Sequence, residues 1–91
     1  MKVIRYKIYF WSNENNEPIH VHISKGEPTS NSTKVWLTKT GGCVLANNSS
    51  KISKSDLNKL LNIISRHYFF IISKWKEYYK INDVTKIKYY C

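Results

Sequence analysis

The spacing of apolar residues changes once along this chain, and the change divides it into two halves. Up to Ala46 apolar and polar residues alternate; from Leu57 onward the apolar residues recur every three or four positions. Alternation places every second side chain on one face of a strand, whereas 3–4 spacing draws a stripe along a helix. Strands first and helix second, each with one apolar face, describe an α+β domain whose sheet and helical segment bury those faces against each other.

The alternating half divides at its turn residues. In residues 3–11, Ile4, Tyr6, Ile8 and Phe10 form the expected core face. The polar run 12–18 ends that strand, and residues 19–24 form a second, giving an antiparallel hairpin. After the loop 25–32, residues 33–38 form a third strand with Val35 and Leu37 opposite Lys34 and Trp36. Gly41-Gly42 supplies the next tight turn, since glycine adopts positive φ without steric cost, and residues 43–46 make the fourth strand. The expectation is a four-stranded antiparallel sheet of meander type.

Ser53 or Ser55 caps the helical segment, with Asp56 in its first turn favoured by the helix dipole. Leu57, Leu60, Leu61, Ile64, Tyr68, Ile71, Ile72, Trp75 and Tyr79 keep one stripe. A single helix over 55–80 would be about 39 Å long and would overhang such a sheet. A break near Ser65-Arg66-His67 is expected, an unbroken helix being the alternative. The segment packs on one face of the sheet. Lys59, Ile63, Arg66, Phe70 and Lys74 lie opposite the main stripe. Either the break turns Ile63 and Phe70 inward, or they contact another chain, as in a homodimer. Residues 1–80 read as a single domain; residues 81–91 read as a short edge strand or a basic tail.

At 91 residues the chain has room for one modest core, and its 42% hydrophobic content argues against disorder. The formal charge of +9 points to a polyanionic partner, a small acidic protein or a nucleic acid. Lys25, Lys34, Trp36, Lys59, Arg66, Phe70 and Lys74 are the candidate contacts; Trp36 would stack on a base or a partner, or serve as an ordinary cross-strand aromatic. Against the nucleic-acid reading, arginine, the residue suited to bidentate phosphate and base contacts, occurs only as Arg5 and Arg66. The lysine excess also fits an AT-rich coding sequence. With no export signal, no apolar run of membrane-spanning length, and two cysteines, Cys43 and Cys91, too few for a disulfide scaffold, a cytoplasmic protein is expected.

The chemistry concentrates in Glu17-Pro18-Ile19-His20-Val21-His22-Ile23-Ser24. On a strand, His20 and His22 share a face with Cα atoms about 6.5–7 Å apart. Three readings stand. Adjacent imidazoles can hold a divalent metal, for which a third ligand would come from Glu14 or Glu17 in the preceding turn, or from His67 or Cys43 through the fold. A histidine beside Glu17 or a tyrosine can perform acid–base catalysis of phosphodiester cleavage. Or the pair is hydrogen-bonded and fixes the sheet. No P-loop, HExxH, paired CxxC or Ser/His/Asp arrangement is present.

The segments Phe10-Trp11-Ser12-Asn13-Glu14, Glu17-Pro18-Ile19-His20-Val21-His22-Ile23, Lys34-Val35-Trp36-Leu37, Leu45-Ala46-Asn47-Asn48-Ser49 and Ile71-Ile72-Ser73-Lys74-Trp75 together resemble domain of unknown function 4160, from about Lys2 to about Tyr79. The resemblance implies a small prokaryotic protein without assigned catalytic residues or cofactor. It further implies an encoded neighbour, domain of unknown function 2442, in an arrangement similar to toxin–antitoxin modules. The expected function is thus a small basic binding module of such a pair; the alternative is a small nuclease or metal-dependent hydrolase centred on His20 and His22.

Overall fold

The computed structural model describes residues 2–3, 5–10, 17–27, 31–81 and 87–90. The alternating half folds into β1 (Lys2–Val3), β2 (Tyr6–Tyr9), β3 (His20–Lys25), β4 (Thr33–Leu37) and β5 (Cys43–Asn48). They form one sheet in sequence order, every pair antiparallel. The four expected strands are β2 to β5, and β1 is an added edge. It arises because the first alternating run reverses: Val3 pairs with Tyr6 and Lys2 with Lys7. The reversal carries no Gly, Asn or Pro, and period-two spacing is the same on both sides of it, so the pattern gives a strand without marking its turn. Ile4, Trp11, Glu14 and Cys91 lie outside the described residues.

Cross-strand partners share a face, so the register sorts the side chains. Ile8 pairs with Ile23, Val21 with Val35, and Val35 with Leu45; on the other face Tyr9 pairs with His22, His22 with Lys34, and His20 with Trp36. The β4–β5 turn is closed by Thr38 N–H donating to Gly42 O at 3.0 Å, with Gly41 at φ +91°. Only glycine holds that φ without strain.

Ser53 caps α1 (Lys54–Arg66), its hydroxyl accepting from Asp56 N–H at 3.3 Å. The helical region breaks at His67 (φ −102°, ψ 24°), and α2 (Tyr68–Tyr78) follows. The backbone hydrogen bonds nonetheless run on through the joint, from His67 N–H to Ile63 O at 3.0 Å and from Ile71 N–H to His67 O at 2.9 Å. A straight helix of about 39 Å would exceed the molecule's longest extent, 36 Å. The break keeps both apolar stripes on the sheet: Leu57, Leu60 and Ile64 of α1 and Tyr68, Ile71 and Trp75 of α2 join Tyr6, Ile8, Val21, Ile23, Val35 and Leu37 in one buried cluster. It does not turn Phe70 inward, which stays 50% exposed, and Ile63 is half-buried.

Two further contacts tie the layers together. The Tyr6 hydroxyl donates to Asp56 Oδ2 at 2.7 Å, fastening the start of α1 to β2. Residues 87–90 dock against the ends of β3 and β4. There Ile19 N–H donates to Lys88 O at 2.7 Å, Tyr90 N–H donates to Leu37 O at 3.0 Å, and Ile87 enters the core.

Candidate functional site

Pro18 stops the chain just before β3, and the two histidines follow on the sheet face away from Val21 and Ile23. His20 is fully buried and His22 is 8% exposed. The His20 Nδ1–H donates to Pro18 O at 2.8 Å. A carbonyl can only accept, so this bond places the proton on Nδ1. The His22 Nδ1 lies 2.7 Å from the hydroxyl of buried Ser32. Rings fill the surroundings. His20 meets His22 at 5.0 Å and both Trp36 and Trp75 at 5.3 Å, all edge-on, while Tyr9 stacks on His22 at 5.7 Å. Tyr90 in turn stacks on Trp36 at 5.3 Å with its plane tilted by 10°.

The charged candidates of this region are engaged with each other. The Glu17 carboxylate lies 2.5 Å from the Lys34 ammonium, which itself stands 4.3 Å from the centre of the Trp36 ring. Among the described residues no group of three His, Cys, Asp or Glu side chains gathers to hold a metal. His67 is exposed at the helix joint, and the Cys43 thiol is directed at Leu61 O and the Ser65 hydroxyl, each 3.5 Å away. Neither is brought to His20 and His22.

The partner-binding candidates do not form one surface. Trp36 is covered by Tyr90 and Lys34 is ion-paired. Lys25 is exposed at the end of β3, and Lys59 and Arg66 are exposed on α1. Only Phe70 and Lys74 come together on a shaped feature, a groove of about 560 Å³ between α2 and the end of β2. Ile8, Tyr9, Phe10, Val21 and Ile71 line its floor and wall, and Glu77 and Tyr78 complete the helix side. Sequence reasoning missed Tyr78, 49% exposed in the groove, and Phe69, 81% exposed next to Phe70 in the chain. The available signal was the run Tyr68-Phe69-Phe70, since three consecutive helical residues cannot all face one core.

No helix among the described residues is long and apolar enough to cross a membrane. No curated protein and no solved structure is similar enough to the chain to count as a match. The model of the family described as Domain of unknown function (DUF4160) does match, over residues 5–76. That stretch runs from the turn before β2 to two residues short of the end of α2 and holds both histidines, Trp36, Trp75, Phe70 and Lys74; the chain belongs to the DUF4160 family.

Proposed function

We propose that this chain is a small basic binding module that docks an acidic protein partner, and that the pair is of toxin–antitoxin type. The observation that carries the reading is the groove beside α2. Its apolar floor, with Phe70 and Tyr78 each about half exposed on its helix side, is the kind of concave surface that takes an apolar segment of another protein. The charge supports an acidic partner. Each described carboxylate is already bonded within the chain, Glu17 to Lys34, Glu27 to Lys7, Glu77 to Lys74 and Asp56 to Tyr6. The surplus of a +9 chain is therefore left for a partner. A protein is favoured over a nucleic acid because Trp36, the stacking candidate, is covered by Tyr90, and Lys34 beside it is neutralised.

Co-expression with the protein encoded next to it tests this. The two should purify together, and Phe70→Ser should break the complex while the chain stays folded. Separate purification, salt-sensitive binding to RNA or DNA in place of the partner, or RNA cleavage that depends on His22 would each overturn the reading.

A further inference from the structure

We infer that β5 is a docking edge for an added β-strand whose ends carry carboxylates. β5 closes one side of the sheet, and among the described residues β4 is the strand it pairs with. Such an edge turns alternate N–H and C=O groups outward, and proteins blunt it with lysine, proline or a covering element. This edge reads Cys43-Val44-Leu45-Ala46-Asn47-Asn48, without a charge or a proline in a chain that carries thirteen lysines. Val44 and Leu45 are 40% and 36% exposed. They lie on opposite faces of the sheet, Val44 opposite Trp36 and Leu45 opposite Val35. An incoming strand with two adjacent apolar residues, one for each face, would cover both. A bulge interrupts this edge: Lys34 pairs with Asn47 and Val35 with Leu45, so Ala46 is the extra residue. It interrupts the ladder at Ala46, between Cys43–Leu45 and Asn47–Asn48.

Charge selects the occupant. Residues 28–55 contain no Asp or Glu, and they carry Lys39 in the turn before β5 and Lys51 and Lys54 after it, all exposed. The edge is uncharged in its middle and cationic at both ends. A second copy is the poorer fit, because antiparallel pairing of β5 with itself about a two-fold axis brings the Lys39 end of one copy against the Lys51 and Lys54 end of the other. A strand with a carboxylate at each end meets a cation at each end. This inference does not rest on the groove, which lies beside β2 at the far side of the sheet.

The test uses the full chain, isotope-labelled, titrated with a capped synthetic peptide with adjacent valines at its centre and paired glutamates at each end. The same peptide with lysines replacing the glutamates is the comparison. Amide shifts and slowed hydrogen exchange should map to residues 43–48, and the glutamate peptide should bind roughly ten-fold more tightly, an advantage that added salt removes. Leu45→Lys and Val44→Lys, at exposed positions, should each abolish the effect with the rest of the amide spectrum unchanged. Equal binding of both peptides, shifts confined to the groove, no shifts, or self-association that Leu45→Lys removes would overturn the inference.

Discussion

Replacing His20 by alanine removes a buried ring that meets Trp36, Trp75 and His22 within 5.3 Å, and it takes the donor from Pro18 O. A buried ring lost to a cavity, together with a broken hydrogen bond, costs about 2–5 kcal/mol. Urea unfolding should show a loss of that size for His20→Ala and a smaller one for His22→Ala, at the slightly exposed position. A His20→Ala chain of unchanged stability that has lost a metal or an activity would return the pair to chemistry. Tyr6 and Asp56 give a second prediction at this scale. The Tyr6 hydroxyl holds the Asp56 carboxyl below the ordinary carboxylate range, and the same bond, with burial next, holds the Tyr6 hydroxyl above the ordinary tyrosine range. A carboxyl depressed on folding stabilises the chain above its unfolded pKa, and that contribution is lost as pH falls through the folded value. A phenol raised on folding stabilises below its unfolded pKa and is lost as pH rises through the folded value. The stability difference between the natural chain and Tyr6→Phe should therefore be largest near neutral pH and shrink toward both extremes; a difference that stays constant into acid would break the linkage. The same-face placement of His20 and His22 was legible from their spacing. Their enclosure was not, because Trp36 and Trp75 lie far along the chain and only the fold brings them to His20.

At the scale of elements, local pattern carried most of the information. Alternation at Tyr6, Ile8 and Phe10 and at Val35 and Leu37 identified the core face, and 3–4 spacing identified the buried stripes of α1 and α2. Two serines competed for the helix start, and the structure assigns the cap to Ser53 through Asp56 N–H. Ser53→Ala should cost about 1 kcal/mol, the usual loss for an N-cap hydroxyl, while Ser55→Ala, in the first turn, should leave stability nearly unchanged; thermal unfolding of the two variants decides between them. The break at His67 was legible from length, since one helix outreaches the molecule. Its effect on Phe70 was not. The backbone at His67 departs from helical angles in a way that residue spacing does not encode, and Phe70 lines the groove with half its surface open.

At the scale of the whole molecule, residues 87–90 connect β3 and β4 in a way that no local pattern shows. Alternation from Val84 to Tyr90 suggested an edge strand or a tail, but the hydrogen bonds from Ile19 N–H to Lys88 O and from Tyr90 N–H to Leu37 O are made at the far ends of strands long since formed in the sequence. Magnitudes suggest that the docking is weakly held. Burying Ile87 contributes about 1.5–3 kcal/mol, each backbone hydrogen bond about 0.5–1.5 kcal/mol, and the Tyr90–Trp36 stack about 0.5–1.5 kcal/mol. Ordering the backbone opposes this with about 1–2 kcal/mol for each residue fixed, so over residues 87–90 the two sides nearly cancel. The segment should then open without global unfolding. In native-state hydrogen exchange the Ile19 amide, whose acceptor is Lys88 O, should exchange far faster than the amides of Val21 and Ile23 in the middle of the sheet. Ending the chain at Lys86 should cost no more than about 2 kcal/mol on the same reckoning, and it should change Trp36 fluorescence by removing the ring stacked on it. An Ile19 amide as protected as those of Val21 and Ile23, or a truncated chain that cannot fold, would show instead that residues 87–90 are an integral part of the domain. If the segment does open, the released state is the one in which Trp36 presents a ring face that Tyr90 otherwise covers, so any ligand that stacks there must compete with the chain's own C-terminal residues.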